Sequence, residues 1–302
     1  MVIKKDFMNK LFLVLLGFNL LFCSCEFLTQ QAQNQGVINE NQANAARTTG
    51  EGISELTKET SLKDERDLGE TVALQAYATP EFGKPLKNEN VMRYLALVTT
   101  HIGRHSDRPL IPYFTAVVNS DEVNAFATPG GYIFITRGAI EIMQSEAELA
   151  AVIGHEIAHI NKKHALNAIQ RIKGTTKILS GAAKGANMGD SPEFDGFVKD
   201  LAKMIMGSAF GKGDELDADI TGIKYAMASG YDARAMIDFL NTLKSRAVHA
   251  GAVTSSHPSP DDRIAELNKY FSSLPKDEWQ GLVKQTNRFD KIKEMMKQSE
   301  SW

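Results

Sequence analysis

The chain has 302 residues, 43% of them hydrophobic and 24% charged, a composition that supports an ordinary globular core. Its formal net charge of −3 leaves no basic excess for neutralising phosphates, so nucleic acid is not an expected partner. Both cysteines, Cys23 and Cys25, sit near the N-terminus, and the rest of the chain therefore carries no disulfide of its own.

Residues 1–25 set Lys4, Lys5 and Lys10 ahead of the apolar run Leu11–Phe22, the layout of an export signal. That run is short of the roughly 20 residues a membrane-spanning helix needs. Ser24 followed by Cys25 resembles a bacterial lipoprotein cleavage box with Cys25 as the acylated residue, although Phe22 and Cys23 are unusual in it. The expectation is an exported protein of the bacterial periplasm, anchored to the outer membrane only through a lipid on Cys25. The alternative is a plain cleaved signal with incidental cysteines. Residues 26–61, rich in Gln, Asn, Ala, Thr and Gly, read as a flexible tether.

Folded character starts near Leu62, where Leu68, Val72 and Gln75-Ala76 keep helical spacing, and a second helix is expected from Glu89 to His105. Strands are expected at Tyr113–Val118 and Gly131–Thr136, forming a hairpin-like pair with a Pro-Gly-Gly turn signal between them. Ser145-Glu-Ala-Glu148 is a capping pattern that opens a long helix to Leu166. Eight glycines between Lys173 and Gly213 suggest either a mobile cover or surface helices joined by loops. Further helices are expected around Asp214–Ser229 and after Asp232 and Ser259. The layout is α+β, mainly α, with a small sheet. From Trp279, Leu282, Phe289, Ile292 and Met296 make residues 276–302 an amphipathic tail, packed on its own domain or docked to a partner.

The chemistry concentrates in the apolar stretch AAVIGHEIAHI. On a helix His155 and His159 fall one turn apart on one face, where they can share a metal ion, with Glu156 beside them. Zinc suits imidazole nitrogen, and with three protein ligands it keeps one position for water and lowers that water's pKa. A carboxylate such as Glu156 can then act as general base. A third ligand is required. His164, nine residues after His155 on the same helix, is out of phase and is expected on the solvent face. Glu215 and Asp219 in DELDADI share a helical face: one can ligate while the other accepts the spare N–H of a ligating imidazole. On spacing alone, a solvated acidic face explains that pair equally well.

The motifs together resemble the gluzincin family of zinc metalloproteases that includes HtpX, the CAAX prenyl protease and periplasmic lipoprotein proteases. HEIAH (155–159), ELDAD (215–219) as the family's ExxAD, NAFATPGGYIFITRGAI (124–140), GYD (230–232) and SHPSPDDRI (256–264) carry the likeness from about Asp64 to Leu267. It implies a zincin-like domain over residues 62–275, its small sheet packed against the HExxH helix. It also implies one Zn2+ per chain held by His155, His159 and Glu215, Glu156 as general base and Asp219 supporting a ligand. His257 would stabilise an oxyanion or cap the metal. Asn124, Gly130, Gly131 and the strand from Tyr132 are expected to form an edge beside the zinc that pairs with an extended peptide. The expected function is endoproteolysis of unfolded or misassembled envelope proteins. The rival readings are a non-catalytic lipoprotein (chaperone or adhesin) on the same fold, and a hydrolase of non-protein substrates.

Overall fold

The computed structural model describes residues 61–78, 83–172, 199–203, 205, 210–232, 234–250, 259–276, 279 and 282–299. The expected leader with Cys25, most of the expected tether, most of the glycine-rich stretch and His257 lie outside them. In chain order the elements are α1 (Leu62–Ala78), α2 (Glu89–Arg104), β1 (Phe114–Val118), β2 (Ala125–Thr128), β3 (Tyr132–Thr136), α3 (Arg137–Ile142) and α4 (Glu146–Asn161). They continue with α5 (His164–Ile172), α6 (Lys212–Ala228), α7 (Ala235–Ala250), α8 (Pro260–Ser273) and α9 (Thr286–Lys297). Among the described residues no helix is long and apolar enough to cross a membrane.

The sheet order is β1-β3-β2, with β1 parallel and β2 antiparallel to β3. This corrects the hairpin expected between 113–118 and 131–136. Those strands are neighbours but run in the same direction, because the intervening segment contains a strand of its own. The Pro-Gly-Gly signal closes the β2–β3 turn instead, where Gly130 (φ 78°) and Gly131 (φ 113°) occupy backbone regions that side chains disfavour. Alternation along the strands splits the sheet between two cores. Val117, Ala127, Ile133 and Ile135 join the main core with α2, α4 and α6–α9, while Val118, Phe126 and Phe134 pack with α1, α5, Leu201 and Ile205. Phe126 and Phe134 are register partners and stack with centroids 5.0 Å apart.

α4 is the centre of the main core: every residue from Glu146 to Ile160 is buried. Its N-terminus forms as the capping pattern predicts, with the Ser145 hydroxyl accepting from the Glu148 amide at 3.3 Å. Its C-terminus does not run to Leu166. Asn161 is the last helical residue, and Lys163 takes a left-handed conformation (φ 56°) before α5 starts at His164. The tail packs on its own domain, since Phe289, Ile292 and Met296 are buried in the core that holds α4. Arg288 reinforces this docking by pairing with the buried Glu146, whose carboxylate also accepts from Tyr94 (2.6 Å) and Tyr231 (2.7 Å). Burial would raise the Glu146 pKa, but these three donors hold it below its ordinary value.

α4 and α6 approach backbone to backbone. A Cβ on Gly154 would lie 2.6 Å from the Gly222 carbonyl oxygen, and one on Gly222 would lie 2.5 Å from the His155 nitrogen. Gly222→Ala is therefore expected to force the helices apart and lower stability by about 1–3 kcal/mol. Gly213→Ala is the control, because a Cβ there meets nothing within 4 Å. Thermal unfolding of the two variants is expected to show a drop of several degrees for the first and none for the second.

Candidate active site

The crossing of α4 and α6 sets Glu215, in the first turn of α6, opposite the two histidines of α4. His155 Nε2 and His159 Nε2 are 3.0 Å apart, and Glu215 oxygens lie 3.6 Å from each of them. Ligand atoms bonded tetrahedrally at 2.0–2.2 Å stand roughly 3.3 Å from one another, so this triangle has the size of a zinc site. His155, His159 and Glu215 form the cluster able to hold a metal among the described residues, and all three are buried.

The remaining atoms hold those donors in place. Asp219, one turn after Glu215, puts Oδ1 2.9 Å from His155 Nδ1, which leaves Nε2 to face the cluster. Arg263 on α8 grips Asp219 with two nitrogens at 2.7 and 2.5 Å, and its third lies 3.9 Å from Glu215. Burial opposes the Asp219 charge, yet Arg263 and His155 hold its pKa well below the carboxylate range. With Glu156 ionised, three buried carboxylates (Glu156, Glu215, Asp219) face one guanidinium, a deficit that one divalent cation cancels. Glu156 is buried within the field of His155, Glu215 and Arg263, and its pKa is pushed up to about 7, chiefly by burial. A carboxylate poised near neutrality suits a general base.

Other expected site residues are placed differently. His164 is buried, not solvent-facing, and its Nδ1 is 2.8 Å from His159 Nδ1. The expectation assumed one continuous helix, and the left-handed turn at Lys163 removes that assumption. β3 is the central strand, with β1 and β2 occupying its two sides, so Tyr132 offers no free edge. Gly130 and Gly131 are buried turn residues backed by Arg66 and Pro112. Asn124 directly precedes β2, and its carbonyl accepts from the Thr136 amide at 3.0 Å. Among the described residues, the strand lying against α4 with an unpaired side is β2. His257 lies outside the described residues.

Arg263 carried no role in the sequence reading, although a signal for it exists. Arg263, Leu267 and Phe271 are spaced four apart on α8 and all three are buried, so a charge stands on the core-facing stripe of a helix. An arginine there needs a buried anion.

A pair of imidazoles one helical turn apart, a carboxylate from a second helix and an adjacent glutamate define a zinc-dependent metallopeptidase site. Peptidase family M48 matches residues 85–271, and the chain belongs to that family. It is 25% identical to the beta-barrel assembly-enhancing protease of Escherichia coli (strain K12) over 199 residues, 63% of this chain and 41% of that one. It is 31% identical to the mitochondrial metalloendopeptidase OMA1 of Arabidopsis thaliana over 170 residues, 54% of this chain and 33% of that one. Metalloprotease LoiP of Escherichia coli (strain K12) is 22% identical over 188 residues, 62% of this chain and 73% of that one. The chain thus spans about two fifths of the length of the first of these relatives.

Removing Arg263 tests the charge balance. In metal-free protein, Arg263→Leu is expected to cost about 3–5 kcal/mol at neutral pH, because Asp219 and Glu215 stay buried without their counter-charge. Asp219 titrates below its unfolded value near 3.9, so the stability it contributes is complete above about pH 4 and is lost as pH falls further. The gap between variant and parent in denaturant unfolding is accordingly expected to be widest at neutral pH and to narrow below pH 4.

Proposed function

We propose that this chain is an exported zinc endopeptidase that cleaves unfolded or misassembled proteins of the cell envelope. The observation that carries the reading is the convergence of His155, His159 and Glu215 on one buried point with Glu156 beside it. Membership of a peptidase family supports the reaction class. The leader pattern of residues 1–25 and the name of one relative, a beta-barrel assembly-enhancing protease, support the envelope and its proteins as the place and substrate. The lipid anchor on Cys25 belongs to the same proposal.

Zinc, when bound, supplies Lewis-acid activation of water and of the scissile carbonyl. His155, His159 and Glu215 hold it, while Asp219 and Arg263 fix the His155 ring. Glu156 takes the proton of the attacking water and returns it to the leaving amine nitrogen. Its elevated pKa suits both halves of that transfer. The peptide is held by main-chain pairing to the outer side of β2. The Asn124–Thr136 bond directs the amides of Asn124, Phe126 and Thr128 toward β3, so those of Ala125 and Ala127 face outward. Pairing of this kind reads backbone more than side chains and suits unfolded substrates.

Two variants test this. Glu156→Gln is expected to retain its zinc by metal analysis while cleavage of unfolded casein falls by about 10²–10⁴-fold. Unaltered cleavage removes Glu156 as the base, and absence of zinc and of proteolysis from the parent protein returns the chain to the non-catalytic reading. Ala125→Pro removes one outward N–H at a position where an edge strand tolerates proline. It is expected to raise KM for casein by about 3–10-fold with zinc content unchanged. An unchanged KM removes β2 from substrate binding.

A further inference from the structure

We propose that His164 is a positioning residue for the metal ligand His159, fixing the tautomer and the plane of that imidazole through a histidine-to-histidine hydrogen bond. The inference rests on the zinc-site reading above. A neutral imidazole that gives Nε2 to a metal carries its proton on Nδ1, and that N–H needs an acceptor when buried. The atom facing His159 Nδ1, at 2.8 Å, is His164 Nδ1. It can accept only if the ring proton of His164 sits on Nε2. The structure favours that tautomer, since His164 Nε2 faces Asp217 Oδ2 at 3.8 Å and Asp214 Oδ1 at 3.9 Å. Carboxylate oxygens on this side draw an N–H and repel a lone pair.

The backbone is shaped for this contact. On a continuous helix the fifth residue after His159 would point roughly 140° away from it. The left-handed turn at Lys163 brings His164 back over the site instead, where its ring meets His159 edge to face at 4.9 Å and 76°. Phe210 covers the assembly, stacked on His159 with centroids 4.5 Å apart. The two zinc-binding imidazoles are thus oriented by different chemistry. His155 has the charged Asp219–Arg263 pair behind its Nδ1, and His159 has a neutral ring backed by the partly buried Asp214 and the half-exposed Asp217.

Asparagine and glutamine in place of His164 separate this role from mere packing. Asn presents an amide oxygen where imidazole presents Nδ1, whereas Gln carries its oxygen one atom further out. His164→Asn is expected to bind zinc within a few-fold of the parent by chelator competition, with an unaltered visible spectrum of the cobalt-substituted protein. His164→Gln is expected to lose about 10–100-fold in zinc affinity with a shifted cobalt spectrum. Equal behaviour of the two variants, both like the parent or both impaired while folded, overturns the proposal. His159→Ala runs alongside: retained parental affinity there refutes the zinc-site reading itself, while loss there combined with a parent-like His164→Gln refutes only the role of His164.

Discussion

The site depends on one contact that involves no functional side chain, the meeting of Gly154 and Gly222. Helices packed through ordinary side chains keep their axes 8–10 Å apart, whereas glycine against glycine lets main chains touch. The distance matters because a glutamate is short. Glu215 sits two turns before Gly222 on α6, and His155 follows Gly154 on α4, so closest approach of the backbones places a carboxylate within reach of both imidazoles. A methyl group at the crossing would push apart the donors that have to converge. The glycines thus act on chemistry through geometry, and their cost in helix propensity, about 1 kcal/mol each, is borne in the most buried part of the fold.

Close approach creates an electrostatic problem that the surrounding elements solve. Burying Glu156, Glu215 and Asp219 together is unfavourable unless positive charge accompanies them. Arg263 supplies one such charge permanently from α8, and a divalent ion supplies the rest when bound. The same local field divides labour among the carboxylates. Asp219, gripped by Arg263, stays ionised far into the acid range, while Glu156 makes no such pair and has its pKa raised by burial to about 7. One acid is locked as an anion to orient a ligand, and the other is left able to gain and lose a proton.

How much of this was legible in the sequence follows from which interactions are local. The histidine pair, its helix and the Ser145 cap are set by spacings of three and four residues, and α6 and the start of α4 form where those spacings indicate, while α4 ends at Asn161 rather than Leu166. Pairing Glu215 with residues some sixty positions earlier is not a local property, and the resemblance to a family, rather than periodicity, singled it out. Strand direction was missed because the Pro-Gly-Gly signal marks a turn without saying which strands it joins. The position of His164 was missed for a different reason. Lys163 is an ordinary lysine, a residue type that disfavours the left-handed conformation it takes, and composition carries no mark of it. Arg263 was the readable omission, a cation on a stripe of buried residues.

α4 is held at both ends as well as in the middle, which bears on how the site works. At its start Glu146 is gripped by Arg288 of α9, Tyr94 of α2 and Tyr231 of the segment after α6. At its end Asn161 accepts from Tyr113 at 2.6 Å, and Arg108, paired with the buried Glu65, reaches the Ile160 carbonyl at 3.3 Å. These bonds tie the helix to α1, α2, α9 and the segment leading into β1, so a displacement of His155 or His159 would strain contacts in several elements. In the proposed mechanism such a rigid frame would keep metal and general base at the spacing that hydrolysis needs. On the function proposed above, the adjustable partner is then the substrate, extended and free of its own fold along β2. In that proposal, selectivity for unfolded chains follows from the stiffness of the site.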